Sequence, residues 1–159
     1  MIKEFYNHIN GQDKITDNFI VKEFACKDGS DLVKIDIDLV YILQQIRNYI
    51  NKPIKIISGY RTEDYNASCG GSPQSKHLQG GAIDFSPNET NAEELYHIAE
   101  MCQDKYKLNG IGLYINRAVE FIHIDNRTID KKIVWINDKN VGTQTYYKNL
   151  HDNKIIYQI

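Results

Sequence analysis

The sequence contains few cysteines, no long apolar run and no excess of charge of either sign. Its three cysteines, Cys26, Cys69 and Cys102, form neither a disulfide framework nor a CxxC metal knuckle, which indicates a reducing compartment. Lysine and arginine total 19 against 21 aspartates and glutamates, a net charge of −2. Nucleic acid or an anionic membrane is therefore not expected as the main partner, because both favour a strongly basic surface.

No apolar stretch approaches the roughly 18 residues that indicate a membrane span, so none is expected. Residues 1–8 are charged and polar where a secretory signal would be apolar. We therefore expect the chain to be made in the cytoplasm without a signal peptide. If its target lies outside the cell, something else must release it.

The composition is that of an ordinary globular domain. Hydrophobic residues make up 42% of the 159 residues and charged residues 25%, close to the average for soluble proteins. A chain of this length can bury a core without help from a disulfide or a metal. No repeat, low-complexity block or linker divides it. We therefore predict a single domain over residues 1–159.

Two amphipathic helices are predicted from apolar residues that repeat with the 3.6-residue helical period. The first has Asp36 as its N-cap and ends before Pro53, which cannot continue a helix. The second opens at Thr90, with Glu93 completing a capping box, and stops at Asn109-Gly110. The two apolar stripes are Leu39, Ile42, Leu43, Ile46 and Ile50, and Leu95, Ile98, Ala99 and Cys102.

Short β-type runs separate and follow these helices. Their irregular order favours an α+β fold, with a small, mainly antiparallel sheet and flanking helices, over a doubly wound one. Residues 59–81 are rich in turn-forming residues and are predicted to be loop for much of their length, and such loops are usually functional or disordered. The runs are Ile54 to Ile57, Ala82 to Phe85, Ile111 to Ile115, about Phe121 to Ile124, Val134 to Ile136 and Ile155 to Tyr157.

Three side chains form a candidate metal site. His77 and Asp84 are seven residues apart, and Gly80 and Gly81 between them permit the chain to bend round one cation. His123 lies on another short strand. Two histidines and one carboxylate leave the fourth tetrahedral position of zinc open, which is the arrangement of a catalytic site. The alternative is that the histidines are ordinary core residues, because five histidines and 21 acidic residues offer many such triples.

Several motifs occur together in an order that resembles the M15 zinc peptidases. That family's metal signature is S-x-H-x-x-G-x-A-x-D followed by a strand histidine, and the D-alanyl-D-alanine carboxypeptidase-like branch is the most similar. The resemblance covers residues 19–127 and leaves the tail, 130–159, unassigned. The motifs are Ser58-Gly59-Tyr60-Arg61-Thr62, Asn66, Gly70-Gly71, the run from Ser75 to Asp84, and Phe121-Ile122-His123-Ile124-Asp125.

This resemblance implies a hedgehog/D-Ala-D-Ala peptidase-like fold and a zinc hydrolase with one zinc per chain. It implies cleavage of peptidoglycan stem peptides or cross-bridges that contain D-amino acids, as a carboxypeptidase or an endopeptidase. Arg61 would stabilise the negative charge that develops on the carbonyl oxygen. By motif position, the zinc ligands would be His77, Asp84 and His123, and the residues that contact substrate would be Ser75 and Tyr60.

Two carboxylates are candidates for the general base. Glu120 lies three residues before His123, as a glutamate does in other M15 branches, whereas Asp125 matches the most similar branch. Residues three apart on a strand point to opposite faces, so Glu120 reaches the metal only if the strand begins after it. The alternatives are that Glu120 is only a solvent-facing acid and that Asp125 orients a ligand histidine. We favour Glu120.

Two other classes of function are compatible with the sequence. One is a cell-wall or peptide-binding module that keeps the fold without turnover, and the other is a structural component of a phage particle. The metal set, Arg61 and two possible bases would be surplus in a scaffold, so we favour the enzyme. A zinc peptidase without a signal peptide suits a phage endolysin or a prophage lysis protein. A monomer is expected.

Overall fold

The computed structural model describes residues 1–128, 130, 132–140 and 142–146. Strands and helices alternate irregularly along these residues, and two short 3-10 turns interrupt the loops. In chain order the elements are β1 (Ile2–Tyr6), α1 (Asn7–Asn10), a 3-10 turn (Val21–Phe24), β2 (Leu32–Asp36), α2 (Ile37–Ile50), β3 (Ile54–Ser58), α3 (Glu63–Ser68), a second 3-10 turn (Lys76–Gln79), β4 (Ala82–Pro87), α4 (Ala92–Asp104), β5 (Gly110–Ile115), β6 (Phe121–Asp125), β7 (Ile133–Asp138) and β8 (Gly142–Tyr146).

The larger of two sheets has six strands in the order β3-β4-β6-β5-β7-β8. Its neighbours are antiparallel except for β5 and β7, which run parallel. β1 and β2 form a separate antiparallel pair. The predicted α+β fold with a mainly antiparallel sheet and flanking helices is confirmed. Among the described helices, none combines the length and the hydropathy that crossing a bilayer would require.

One face of the large sheet forms the core with α2 and α4. Alternate residues of the three central strands point to this face because strand side chains alternate with a period of two. Ile83 and Phe85 of β4 lie beside Ile122 and Ile124 of β6, and all four are fully or almost fully buried. Each such side chain stabilises the fold by roughly 1.5–3 kcal/mol. The helices contribute Leu39, Val40, Leu43, Ile46, Leu95, Ile98, Ala99 and Cys102 to the same core.

The first predicted helix is confirmed. The side chain of Asp36 accepts a hydrogen bond from the Asp38 amide and caps α2. The helix ends at Ile50 because Asn51 adopts a left-handed conformation, with φ of 51°.

The second helix differs from the prediction at both ends. Asn91, not Thr90, is its N-cap, because the Asn91 side chain accepts a hydrogen bond from the Glu94 amide at 2.9 Å. Thr90 instead donates its hydroxyl proton to the Pro87 carbonyl. The helix stops at Asp104, before Asn109-Gly110, because Lys107 takes a left-handed φ of 55°. The Leu108 amide then bonds back to the Cys102 carbonyl, which closes the helix end.

The strand predictions are confirmed at Ile54, Ala82, Ile111, Phe121 and Val134, with bounds shifted by one or two residues. The run from Ile155 to Tyr157 lies outside the described residues. Between 59 and 81, the loop prediction holds only in part, since α3 and a 3-10 turn lie within it. Thr62 caps α3 by accepting a hydrogen bond from the Tyr65 amide.

Candidate metal centre and active site

The second face of the large sheet carries a row of site residues across five strands. Ser58 of β3 pairs with Asp84 of β4, and Asp84 pairs with His123 of β6. His123 in turn pairs with Gly112 of β5, which lies beside Trp135 of β7. Directly paired residues point to the same face of a sheet, so this register places the carboxylate, the imidazole and the indole side by side.

His77 reaches this row from the loop that precedes β4. It lies on the 3-10 turn Lys76–Gln79, which Ser75 caps, and it is 3% exposed. Gly80 then adopts a left-handed φ of 72° that turns the chain into β4. A Cβ on Gly80 would come within 2.4 Å of the Lys34 backbone, so glycine is required here.

Three ligand-type atoms converge where the loop meets the sheet. Nε2 of His77 lies 3.2 Å from Oδ1 of Asp84 and 3.2 Å from Nδ1 of His123. Asp84 Oδ1 lies 2.7 Å from His123 Nδ1. Tetrahedral ligands held at 2.0–2.1 Å from zinc lie about 3.3 Å from one another, close to the two separations of 3.2 Å and wider than the 2.7 Å between Asp84 and His123. The three residues therefore fit a zinc ion with one protein oxygen and two nitrogens, and they are the residues that the sequence predicted as ligands.

The other polar atom of each candidate ligand is held by a neighbour. Nδ1 of His77 lies 2.6 Å from the Gly59 carbonyl, and Nε2 of His123 lies 3.2 Å from Oδ2 of Asp125. Because the carbonyl and the carboxylate accept hydrogen bonds from the protonated ring nitrogens, Nε2 of His77 and Nδ1 of His123 are left to face the centre. Arg61 donates to Oδ2 of Asp84 at 2.6 Å, which leaves Oδ1 to face it as well.

The same contacts shift the ionisation of the three residues. Burial opposes a charge on His123, but its hydrogen bonds to Asp125 and Asp84 outweigh burial and raise the pKa of His123 to about 9. Burial lowers the pKa of His77. Burial would raise the pKa of Asp84, yet the two histidines hold that pKa well below its usual range. Without a metal ion, His123 thus carries a positive charge at neutral pH, and a bound cation would replace its proton.

The chain matches one protein family over most of the described residues. Residues 15–125 match the family model described as Peptidase M15, which is 111 of the 159 residues. The chain belongs to the peptidase M15 family. The match almost coincides with residues 19–127, over which the motifs indicated this family. No curated protein matches the chain.

In this M15 domain, Arg61 lies beside the carboxylate of Asp84, one of the three candidate ligands. Its Nη2 donates to Asp84, and its Nε donates to the hydroxyl of Ser58 at 2.8 Å. These two contacts fix the guanidinium at the edge of the metal centre. Its predicted role toward a carbonyl oxygen stays a prediction. In the sequence, Ser58 was only part of a motif, and its contact with Arg61 is a local one between residues three apart.

The two predicted catalytic carboxylates have different surroundings. β6 begins at Phe121, directly after Glu120, so strand alternation does not force the Glu120 side chain away from the metal centre. In the structure, its carboxylate accepts a hydrogen bond from the Asn116 amide at 2.7 Å. Asp125 is fully buried. It contacts the ring nitrogen of His123 that faces away from His77 and Asp84, and it is paired with Arg127 at 2.5 Å. Burial would raise the pKa of Asp125, but His123 and Arg127 hold it well below its usual range.

The two predicted substrate contacts lie on the loop side of the site. Ser75 is half-buried, and its hydroxyl oxygen accepts a hydrogen bond from the His77 amide at 3.3 Å. Tyr60 is also half-buried, and its amide donates to the Phe24 carbonyl. Ser75 thus caps the turn that carries His77, and Tyr60 directly precedes Arg61. Their contact with substrate stays a prediction.

An aromatic wall, made of Trp135, Tyr114 and Phe121, borders the centre on its other side. The Trp135 ring lies 5.1 Å from the ring of His123, and its indole nitrogen donates to the Tyr114 hydroxyl at 3.1 Å. Tyr114 stacks on Phe121 with ring centroids 4.3 Å apart. The sequence left Trp135 open between core and site. Val134 and Ile136 point into the core, so the alternation of strand side chains places Trp135 on the site face; no sequence signal distinguished the two faces, because all three residues are apolar.

Proposed function

We propose that this M15 domain is a zinc-dependent hydrolase of peptidoglycan peptides that contain D-amino acids, acting as a carboxypeptidase or an endopeptidase. The observation that carries the proposal is the convergence of His77 Nε2, Asp84 Oδ1 and His123 Nδ1, which lie within 4.8 Å of one another. The family supports the peptidase chemistry. The D-amino acid preference is supported by the motifs shared with the D-alanyl-D-alanine carboxypeptidase-like branch.

A zinc ion held by the three ligands would polarise the scissile carbonyl and activate water for its attack. The chain's own contribution begins with the carboxylate–histidine and carbonyl–histidine contacts, which set the ring orientations of His123 and His77. Because these contacts are preformed in a buried site, the ligands need little reorganisation.

Arg61 is proposed to meet the negative charge that develops on the carbonyl oxygen. Its guanidinium is held by Ser58 and Asp84, and its side chain is 16% exposed, so it is largely shielded from water. A fixed cation in such a place stabilises a growing charge more strongly than one in solvent does.

Glu120 is proposed as the general base, and Asp125 as the residue that orients His123. Glu120 is half-buried and lies at the turn before β6, where its carboxylate can exchange the Asn116 amide for a water molecule. Asp125 is fully buried, and both of its oxygens already accept hydrogen bonds from Arg127. A carboxylate so occupied is poorly placed to take a proton from water.

The substrate is proposed to lie between the aromatic wall and the loop that carries Ser75. Aromatic faces favour contact with apolar substrate groups, such as the methyl group of alanine or the face of a sugar. The aromatic wall would therefore contact the apolar groups on one side of an extended peptide, while Ser75 and Tyr60 offer polar contacts on the other side.

The proposal is tested by digesting purified peptidoglycan with the zinc-loaded protein and identifying the fragments by mass spectrometry. Release of terminal D-alanine indicates carboxypeptidase activity, and new termini within stems or cross-bridges indicate endopeptidase activity. A protein carrying His123→Ala, prepared in the same way, controls for contaminating hydrolases. If the wild type cuts an L-peptide but leaves peptidoglycan intact, the proposed substrate class is wrong. If it binds walls without cutting any peptide, the binding module is favoured instead.

A further inference from the structure

A second arginine supports the metal centre from outside the ligand set. Arg127 follows β6, and its side chain is 17% exposed. It meets Asp125 through three nitrogens: the backbone amide donates to Oδ1 at 3.0 Å, Nε to Oδ1 at 2.8 Å, and Nη2 to Oδ2 at 2.5 Å. This fork-like contact fixes the plane of the carboxylate as well as its position.

Asp125 is enclosed so completely that its direction depends on these contacts. Its side chain is fully buried. A Cβ on Gly110, the residue opposite it on β5, would come within 2.0 Å of Oδ1, so only glycine leaves room for the carboxylate. Oδ2 also accepts from Nε of Arg127 at 3.0 Å and lies 3.2 Å from Nε2 of His123.

We infer that Arg127 is a positioning residue for the metal centre, which acts through Asp125 to hold the proton of neutral His123 on Nε2. With that proton facing Asp125, Nδ1 of His123 faces the ligand atoms of His77 and Asp84. The Arg127 guanidinium also lies over the Trp135 ring, 5.6 Å from its centroid, and that ring is tilted by 47° against the ring of His123. Without Arg127, the Asp125 carboxylate would lose the contacts that fix its plane, and it would rotate away from Nε2 of His123. It would then no longer dictate which nitrogen of His123 is free. The inference rests on the proposed function only in treating the three ligands as a zinc site.

The first test measures the zinc dissociation constant by competition with a chromogenic chelator. We expect Arg127→Met and Asp125→Asn each to weaken zinc binding by roughly 10- to 100-fold, the effect typical of lost support behind a ligand. The double variant should bind zinc no worse than Asp125→Asn, because Arg127 acts through that carboxylate. Effects that multiply in the double variant would overturn the inference. Arg117→Met is the matched control, since Arg117 lies before β6 and covers Tyr114 at 5.0 Å without contacting Asp125, and it should leave zinc affinity unchanged.

The second test reads the protonation of His123 directly. In the zinc-loaded wild type, long-range proton–nitrogen NMR correlations should show the proton on Nε2 of His123. In Arg127→Met, part of the His123 rings should turn over, bind zinc through Nε2 and carry the proton on Nδ1, so that the two forms are mixed. An unchanged signature together with unchanged zinc affinity would overturn the inference.

Should Arg127→Met fail to fold, Gly110→Ala provides an independent route, because its new methyl group displaces the Asp125 carboxylate. We expect the same loss of zinc affinity, and wild-type affinity in this variant would overturn the inference. Gly112→Ala, two residues along the same strand, would press on Trp135 instead and should weaken zinc binding less. If the wild type itself binds no zinc, the proposed function fails, which is a result distinct from all of these.

Discussion

The two faces of the central strands are both buried, yet by different means. On one face, Ile122 and Ile124 of β6 pack in the apolar core with the helices. On the other face, His123 and Asp125 of the same strand are buried among charged and polar partners. Neighbouring residues along one strand therefore belong to two environments with different sources of stability.

The apolar face is stabilised by removal of surface from water, which needs no particular partner. The polar face needs every partner, because a buried charge without one is strongly destabilising. We therefore expect the apolar face to determine whether the chain folds, and the polar face to determine whether it binds metal and turns over substrate. Five predictions test this division.

The largest effect is expected at His123. Replacing it by alanine removes a ligand, so zinc affinity should fall by more than the roughly 100-fold that loss of a supporting residue causes, and hydrolysis should become undetectable. Metal analysis after dialysis measures the retained zinc, and the peptidoglycan assay measures hydrolysis. His97→Ala is the control, because His97 is 66% exposed on α4 and pairs with Glu100. Equal zinc content in His123→Ala and the wild type would refute the ligand assignment.

The next prediction separates the two carboxylates. Glu120→Gln should keep its zinc and lose turnover by roughly 100- to 10,000-fold, because a base acts in the reaction and not in metal binding. Asp125→Asn should lose part of both, because it supports a ligand. Zinc content and turnover are measured on both variants. A fully active Glu120→Gln beside a zinc-replete but inactive Asp125→Asn would reverse the roles.

Arg61→Ala is expected to lower kcat on the order of 100-fold, with a smaller change in KM, because its charge is needed where negative charge grows. The contact between Arg61 and Asp84 also predicts weaker zinc binding, since Oδ2 of Asp84 would lose its donor. Steady-state kinetics at saturating zinc isolate the first effect. A raised KM with unchanged kcat would instead make Arg61 a contact for a carboxylate of the substrate.

The apolar face is tested at Ile122, the neighbour of His123. Ile122→Ala should destabilise the fold by about 2–5 kcal/mol through lost burial and a residual cavity. The zinc affinity of the folded protein should change little, because the side chain points away from the ligands. Denaturant unfolding measures the free energy of unfolding, and chelator competition measures the zinc affinity. Ile124→Val should show the smaller loss of stability typical of one methyl group. A large loss of zinc affinity at equal folded fraction would break the division between the faces.

Sequence reasoning predicts the local features of this molecule better than the features that depend on strand pairing. The α2 helix follows from its apolar period and Asp36, and the ligand types and their spacing indicate the metal centre. The end of α4 was not predicted, because Lys107 takes a left-handed conformation that lysine rarely signals. The contact between Arg127 and Asp125 depends on Gly110 lying opposite Asp125, and that register is set by the pairing of β5 with β6 across the turn at residues 116–120.

The smallest expected effect is a pH dependence that only the polar face should produce. The pKa of His123 is raised from its ordinary value of 6.5 to about 9, so in protein stripped of metal its charge stabilises the fold fully below pH 6.5, and this stabilisation is lost as pH rises toward 9. The pKa of His77 is lowered, so its contribution changes only below pH 6.5. The pKa of the amino terminus is raised from its ordinary value of 8.0, so its contribution to stability changes only above pH 8.0. Between pH 6.5 and 8, His123 therefore dominates the pH dependence of stability. We expect the Tm of chelator-treated protein to fall on the order of 5 °C over this range. Zinc requires neutral His123, so zinc-loaded protein should show no such fall. His123→Gln should abolish the slope in stripped protein, whereas an equal slope in that variant would show that the dependence arises elsewhere.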